Sequence, residues 1–184
     1  ANLSFTIPEG VRCPVIGVTS SVRGEGKSTT AVNLSYVLAE DGKKVLLIDG
    51  DLRIPSIAKK MGIESTPGLT NLLMRFEPRQ LASFQSSILD NWYIVPAGNI
   101  PPNPSELLGS SKMEKFLQCL SEEFDYIIID LPPVNIVSDA LAVSHYITGL
   151  VLVVREDYTE KKEFEACSRQ LELSNVRVLG CVIN

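Results

Sequence analysis

A right-handed, doubly wound α/β layer fold, with a mostly parallel sheet flanked by helices, is what this 184-residue sequence predicts. Three observations predict it. Apolar runs recur along the chain, each followed by a loop and then a helical pattern. Most of the runs are continuously apolar rather than alternating, as suits strands covered on both faces. The first junction between a run and a helix carries a glycine-bearing loop, at the place where such sheets bind ligands, outside the carboxyl ends of their strands.

The elements follow in order. PVIGVTS (14–20), KVLLIDG (44–50), WYIVPAG (92–98), DYIIIDL (125–131), GLVLVV (149–154) and VRVLGCVI (176–183) read as strands. KSTTAVNLSYVLAE places Ala31, Leu34 and Leu38 on one helical face and stops at a glycine, in DGKK. SKMEKFLQCLSEE and TEKKEFEACSRQLEL are amphipathic at helical spacing. In the proline-rich PAGNIPPNPSELL the prolines fix an extended loop, and Asn103-Pro104-Ser105-Glu106 reads as a helix start with proline in the first turn. No repeat, low-complexity tract or linker divides the chain, so residues 1–184 are expected to form one domain.

Bulk properties narrow the function. The 45% hydrophobic content predicts a globular domain rather than disorder. A net charge of −5 argues against broad electrostatic binding to nucleic acid or to an anionic membrane surface. Cys13, Cys119, Cys167 and Cys181 lie far apart and read as buried, reduced thiols of a cytosolic protein, and the lone His145 has no metal-like neighbours. No apolar run approaches the ~18–20 residues that span a bilayer. The opening ANLSFTIPEG lacks the basic and apolar regions of a signal peptide.

The first chemistry lies in SSVRGEGKSTT (20–30). A phosphate loop usually reads G-x-x-x-x-G-K-[ST], and Ser21 stands where its first glycine falls. The rest of the cradle is intact. Gly24 and Gly26 permit backbone conformations that side chains block, and successive N–H groups there can form an anion nest at a helix start. Lys27 is placed for the β- and γ-phosphates, and Ser28 has the hydroxyl expected on Mg²⁺. Thr29 and Thr30 are placed to cap the helix or to touch phosphate oxygens.

The second chemistry is three carboxylates at strand ends. Asp49 and Asp51 follow one buried run, and alternation along an extended chain turns them to the same side. Asp130 ends another, where an unpaired carboxylate is costly to bury and a divalent metal would satisfy it. Of Asp49 and Asp51, one can sit near the metal and the other can take a proton from an attacking hydroxyl. Arg53 is expected to neutralise one of that pair or to meet phosphate.

Together these motifs resemble the bacterial tyrosine kinases of capsule and exopolysaccharide synthesis, a partition-ATPase-like branch of the P-loop NTPases. The similarity covers almost the whole chain. SSVRGEGKST resembles that family's first phosphate motif, LLIDGDLRIPSI its second, aspartate-bearing motif, and DYIIIDLPPV its third. GNIPPNPSELL and the closing GCVIN are also family-like. The resemblance implies ATP and Mg²⁺ as cofactors. It implies nucleotide binding by Gly24, Glu25, Gly26, Lys27, Ser28, Thr29 and Asn184, the last near the adenine. Lys27, Asp49 and Asp51 are the implied catalytic residues, Asp49 being the base for the tyrosine hydroxyl. Ser28, Asp51 and Asp130 are the implied metal ligands.

It further implies a location at the cytoplasmic face of the membrane, reached through a membrane adaptor or activator of the polysaccharide co-polymerase type. That activator is either a separate chain or an N-terminal part of the same polypeptide. The family's tyrosine-rich tail and its E-x-x-R-x-x-R helix, used in ring assembly, are not in this sequence, so a catalytic core truncated at both ends is expected. Two rivals share the motifs: a partition- or septum-positioning ATPase acting as a dimeric switch, and an ATP-binding regulator of an adaptor without catalysis. The switch ATPases read K-G-G-x-G-K-[ST], and here Val22 holds the place of their cross-dimer lysine. An iron–sulphur carrier finds no support in the cysteine spacing.

Overall fold

Apolar runs with no polar face must be covered on both sides, and the fold does this for five of the six with one sheet. In the computed structural model, which describes residues 6–184, the runs form β1 (Val15–Ser20), β2 (Val45–Asp49), β3 (Trp92–Val95), β4 (Tyr126–Asp130), β5 (Gly149–Val154) and β6 (Val178–Ile183). Residues 1–5, part of the stretch without signal-peptide character, lie outside the described residues. The strand order is β3-β2-β4-β1-β5-β6, and every ladder between these strands is parallel.

Alternate residues of β1 to β5 enter separate cores. Leu46, Ile48, Ile127, Ile129 and Leu150 pack on one face, with α5 (Ser111–Ser121) and α7 (Lys161–Leu173) contributing. Val45, Leu47, Ile128, Val151 and Trp92 pack on the other, under α1 (Lys27–Glu40). β1 to β5 are therefore apolar on both faces up to their carboxyl ends, because both faces are interior, whereas edge strand β6 leaves Val178 and Ile183 exposed.

The expected helices form close to their expected bounds. At the start of α5 the Ser110 hydroxyl accepts from the Met113 N–H at 3.2 Å, and Met113, Phe116, Leu117 and Leu120 turn inward. The proline-led helix is α4 (Pro104–Leu108). Three short helices carry no sequence signal: α2 (Ile57–Met61), α3 (Leu69–Met74) and α6 (Asp139–Ser144). A 3₁₀ segment, Pro78–Phe84, between α3 and β3, is equally unmarked. Each is too short to display a helical period, and tertiary packing rather than propensity holds such pieces.

The cysteine expectation is corrected in part. All four thiols are free, but only Cys13 and Cys167 are buried, whereas Cys119 and Cys181 are exposed. Cys119 falls on the outer face of an amphipathic helix and Cys181 on the sheet's edge strand. Tyr126 lies in β4 as expected, half-buried against the core. Among the described residues no helix is long and apolar enough to cross a membrane.

Trp92, the sole tryptophan, is fully buried and donates its indole N–H to the Ser35 hydroxyl of α1 at 3.1 Å. Ser35→Ala leaves that donor without its partner. The expected loss of stability is about 1–3 kcal/mol. Trp92 fluorescence during urea unfolding measures it, with a lower midpoint and an unchanged slope as the expected result.

Candidate active site

The sheet order places the chemistry. β1 lies between β4 and β5, so the loop leaving β1 and the residues ending β4 and β2 meet at one carboxyl edge. Asp49 and Asp130 are register partners on neighbouring strands, which sets the two carboxylates side by side.

Lys27, at the first position of α1, reaches across the loop into this edge. Its ammonium lies 3.0 Å from Asp130 Oδ1 and 3.3 Å from Asp51 Oδ2. The Ser28 hydroxyl donates to Asp130 Oδ2 at 2.6 Å. Asp130 is wholly buried. Burial pushes its carboxyl upward, and the Lys27 ammonium and the Ser28 hydroxyl pull it back. Burial pulls Lys27 down, but the charges of Asp130 and Asp51 outweigh it, so the side chain holds its proton more tightly than a free lysine.

Asp49 and Asp51 are turned to different tasks. Asp49 accepts the N–H groups of Asp51 at 3.1 Å and of Ser56 and Ile57 at 3.0 Å each, so it organises the turn into α2. Burial, and then the neighbouring charge of Asp130, push its carboxyl up to about 7. Asp51 accepts the Ile54 N–H through Oδ1 and turns Oδ2 to Lys27. It lines a recess of about 460 Å³ together with Arg23, Lys27, Ser28, Thr29 and Lys60; Asp49 does not reach that wall. A recess of about 520 Å³ on the other side of α2, lined by Ile63, Phe84, Ile88 and Ile94, brings together none of these groups.

The loop itself is polarised. Among the described residues, none of the N–H groups from Arg23 to Thr29 has a protein acceptor, whereas Thr30 N–H closes the first helical bond onto Gly26 at 2.9 Å. Gly24 and Gly26 sit at φ 82° and 84°, the left-handed region that favours glycine. Free amides at the start of a helix, a lysine and a basic rim make a site for phosphate groups. The donor set also suits Mg²⁺, which binds through one or two carboxylates and fills its remaining positions with water and phosphate oxygens. Among the described residues no three His, Cys, Asp or Glu side chains group closely enough to hold a metal by themselves. Asp130, Asp51 and the Ser28 hydroxyl fit a metal that shares its ligands with a nucleotide.

Two residues differ from the sequence reading. The Glu25 carboxylate points away from the cradle. It accepts the Ser21 N–H at 2.9 Å, the Ser21 hydroxyl at 3.0 Å, the Val22 N–H at 3.3 Å and the Thr159 hydroxyl. Only its N–H is left free in the cradle, and its side chain braces the turn at the place of the missing glycine. Arg53 meets neither Asp49, Asp51 nor the recess. It pairs with buried Asp139 of α6 at 2.9 Å and donates to Ser105 of α4 at 3.3 Å. Asp139 needed a cation once α6 buried it, and Arg53 was in reach.

Asn184 stands by the loop, donating from Nδ2 to the Glu25 carbonyl at 2.8 Å. Sequence reasoning missed Asp139, Thr159, Arg155 and Tyr158, which brace these loops. No spacing marks them, because each lies far along the chain from its partner.

Fold and site define a class, a phosphate-loop nucleotide-binding domain. Comparison with known proteins narrows it. Residues 13–161 match the AAA domain. The chain is 39% identical over 167 residues to the tyrosine-protein kinase YwqD of Bacillus subtilis, covering 91% of this chain and 70% of that one. The kinase domain of the Escherichia coli tyrosine kinase ETK superposes with a TM-score of 0.85 at 28% identity, over 96% of this chain and 69% of that one. The cell division ATPase MinD of Pyrococcus furiosus gives a TM-score of 0.72 at 25% identity, over 93% of this chain and 71% of that one. The chain belongs to the bacterial tyrosine-protein kinase family.

Gly26→Ala is expected to abolish nucleotide binding, measured by calorimetry. A Cβ there meets Asn184 Nδ2 at 2.5 Å on a left-handed backbone. Asp49 supplies a pH test. Its folded carboxyl binds a proton more tightly than the ordinary value of 3.8, so its stabilising contribution is complete below that pH and is lost as pH rises through about 7. Denaturant titrations between pH 4 and 7 should show Asp49→Asn flattening that decline.

Proposed function

We propose that this chain is the catalytic core of an ATP-dependent protein-tyrosine kinase that regulates capsular or exopolysaccharide synthesis. The observation that carries the reading is the polarised loop: free amides from Arg23 to Thr29 on one side of a recess, and Asp49, Asp51 and Asp130 grouped at the strand ends behind it. Amides suit phosphates, and carboxylates suit a metal and a hydroxyl proton. The sequence relatives support tyrosine as the acceptor, being tyrosine-protein kinases by name.

In this reading the loop amides and Lys27 hold the phosphates of ATP, while Ser28, Asp51 and Asp130 hold Mg²⁺. The metal, when bound, neutralises charge that develops on the phosphoryl oxygens. Asp49 accepts the tyrosine proton, its proton affinity near neutrality suiting that exchange. Catalysis is then positioning and charge stabilisation, with no covalent enzyme intermediate. A second assignment gives the proton to Asp51, which alone of the two lines the recess. The acceptor tyrosines are assigned to a C-terminal cluster in the full-length protein, where the core also self-associates into a ring. A membrane adaptor, separate or fused at the N-terminus, holds the kinase at the cytoplasmic face and activates it. Residues 1–184 act as a single catalytic domain. The dimeric-switch reading is weaker here because position 22 is valine, not the lysine that reaches across a dimer.

The test is phosphotransfer. Full-length protein with ATP, Mg²⁺ and its adaptor fragment is probed for phosphotyrosine. Lys27→Met is expected to abolish the signal. Asp49→Asn should lower the rate by about 10²–10⁴-fold with Mg·ADP affinity retained. The same split in Asp51→Asn, with Asp49→Asn near the parent, moves the base to Asp51. Phosphate released to water with no phosphotyrosine overturns the kinase reading.

A further inference from the structure

The carbonyl side of the phosphate loop is held as systematically as its amide side is free. Five consecutive carbonyls each accept a separate side-chain donor. The Ser20 hydroxyl donates to Val22 O at 2.7 Å, and the Tyr158 hydroxyl to Arg23 O at 3.1 Å. The Arg155 guanidinium donates to Gly24 O at 3.1 Å, Asn184 Nδ2 to Glu25 O at 2.8 Å and the Thr30 hydroxyl to Gly26 O at 2.9 Å. Two of these donors, Arg155 and Tyr158, come from the turn that joins β5 to α7, more than a hundred residues along the chain.

A trans peptide unit is planar, with its C=O and the following N–H pointing in opposite directions. Holding Arg23 O on the outside therefore aims Gly24 N–H inward. Holding Gly24 O aims Glu25 N–H inward. The loop cannot do this alone, because glycine carries no side chain to restrict rotation and its backbone is the most mobile of any residue. We propose that the β5–α7 turn, through Arg155 and Tyr158, positions the phosphate loop and so sets the affinity for nucleotide.

The turn is built for that task. Glu156 N–H donates to Asn184 O at 2.8 Å, and Asn184 N–H to Val154 O at 2.9 Å, which ties the turn to the end of β6. Arg155 N–H donates to the Thr159 hydroxyl at 3.1 Å, and that hydroxyl donates to buried Glu25. Asp157 takes a left-handed φ of 57°, which lets the chain reverse between the two donors. The Arg155 guanidinium lies 4.9 Å from the centre of the Tyr158 ring, so each donor also steadies the other. Arg155 adds a positive charge behind the cradle, on the side opposite the phosphates. Neither residue touches the reacting atoms; both are positioning residues.

The test measures Mg·ADP affinity with the full chain, by displacement of a fluorescent ADP analogue, and ATP kinetics beside it. Tyr158→Phe keeps the ring and removes one donor; Arg155→Ala removes the other. Each is expected to weaken Mg·ADP binding by about 3–10-fold, the range for one hydrogen bond. KM for ATP should rise by a similar factor, with kcat at saturating ATP unchanged, because Lys27, Asp49, Asp51 and Asp130 are untouched. The double variant should lose less than the product of the two, since both act on adjoining peptide units. Tyr36→Phe, which removes a hydroxyl bound among the described residues only to Glu40 of α1, should bind as the parent does. Tyr158→Phe binding within about twofold of the parent overturns the proposal. So does a lower kcat with KM unmoved. The inference rests on the nucleotide reading of the site, not on where the phosphate goes. A parent that binds Mg·ADP yet makes no phosphotyrosine overturns the kinase reading alone; a parent that binds none overturns both.

Discussion

A carboxylate with no access to water governs the centre of this molecule. Asp130 ends β4 in the middle of the sheet with β2 and β1 on either side, and its side chain is wholly buried. An isolated charge in that position costs several kcal/mol, about what desolvation of a single ion demands. Lys27 and Ser28 satisfy it, and both sit on the first turn of α1. The start of that helix is thereby fixed over the strand ends, and the loop before it has little choice of path. In the kinase reading proposed above, the same three side chains are assigned to phosphate and metal. Structural need and chemical competence coincide here, so neither Lys27 nor Asp130 can be replaced for one purpose without disturbing the other.

The second constraint acts from outside. A glycine-bearing loop presents amides to an anion only if its carbonyls face the other way, and here a ring of donors surrounds them. Glu25 plays the opposite part at the loop's start, where its carboxylate accepts the Ser21 and Val22 amides. The general phosphate-loop pattern relies on a glycine at that position. This chain uses a serine and a buried acid, and thereby ties the loop to Thr159 and the start of α7. A similar economy operates at Arg53, whose pairing with Asp139 and Ser105 joins the loop after β2 to α4 and α6. The motif-like stretch GNIPPNPSELL is thus structural in this fold: its serine helps to hold the arginine of the aspartate loop.

Much of this was legible in the sequence. All six strands follow from apolar runs, most of them continuous, because a strand buried on both faces leaves a one-dimensional mark; β6, at the sheet's edge, is exposed at Val178 and Ile183. The three long helices follow from their period or from the glycine that stops them. The groups that gather at the site, Gly24, Gly26, Lys27, Ser28, Asp51 and Asp130, follow from motifs in which a few neighbouring residues do one job. What escaped had no local mark. The five- and six-residue helices α2, α3 and α6 are shorter than the pattern that reveals a helix. Arg53 was read with its sequence neighbours, but its partner comes from a distant helix. Exposure of Cys119 and Cys181 depended on which face and which edge the fold presented.

The sequence by itself determined the class of fold, the order of its layers and the residue types of the phosphate site, since burial and loop chemistry are encoded over short spans. Only the tertiary structure decided how those residues divide the work. It turned the Glu25 carboxylate away from the cradle to brace the loop, set Asp51 rather than Asp49 on the recess wall, and brought Arg155, Tyr158 and Asn184 behind the loop. The last of these depends on strand order and register, which bring together atoms that the chain separates by more than a hundred residues.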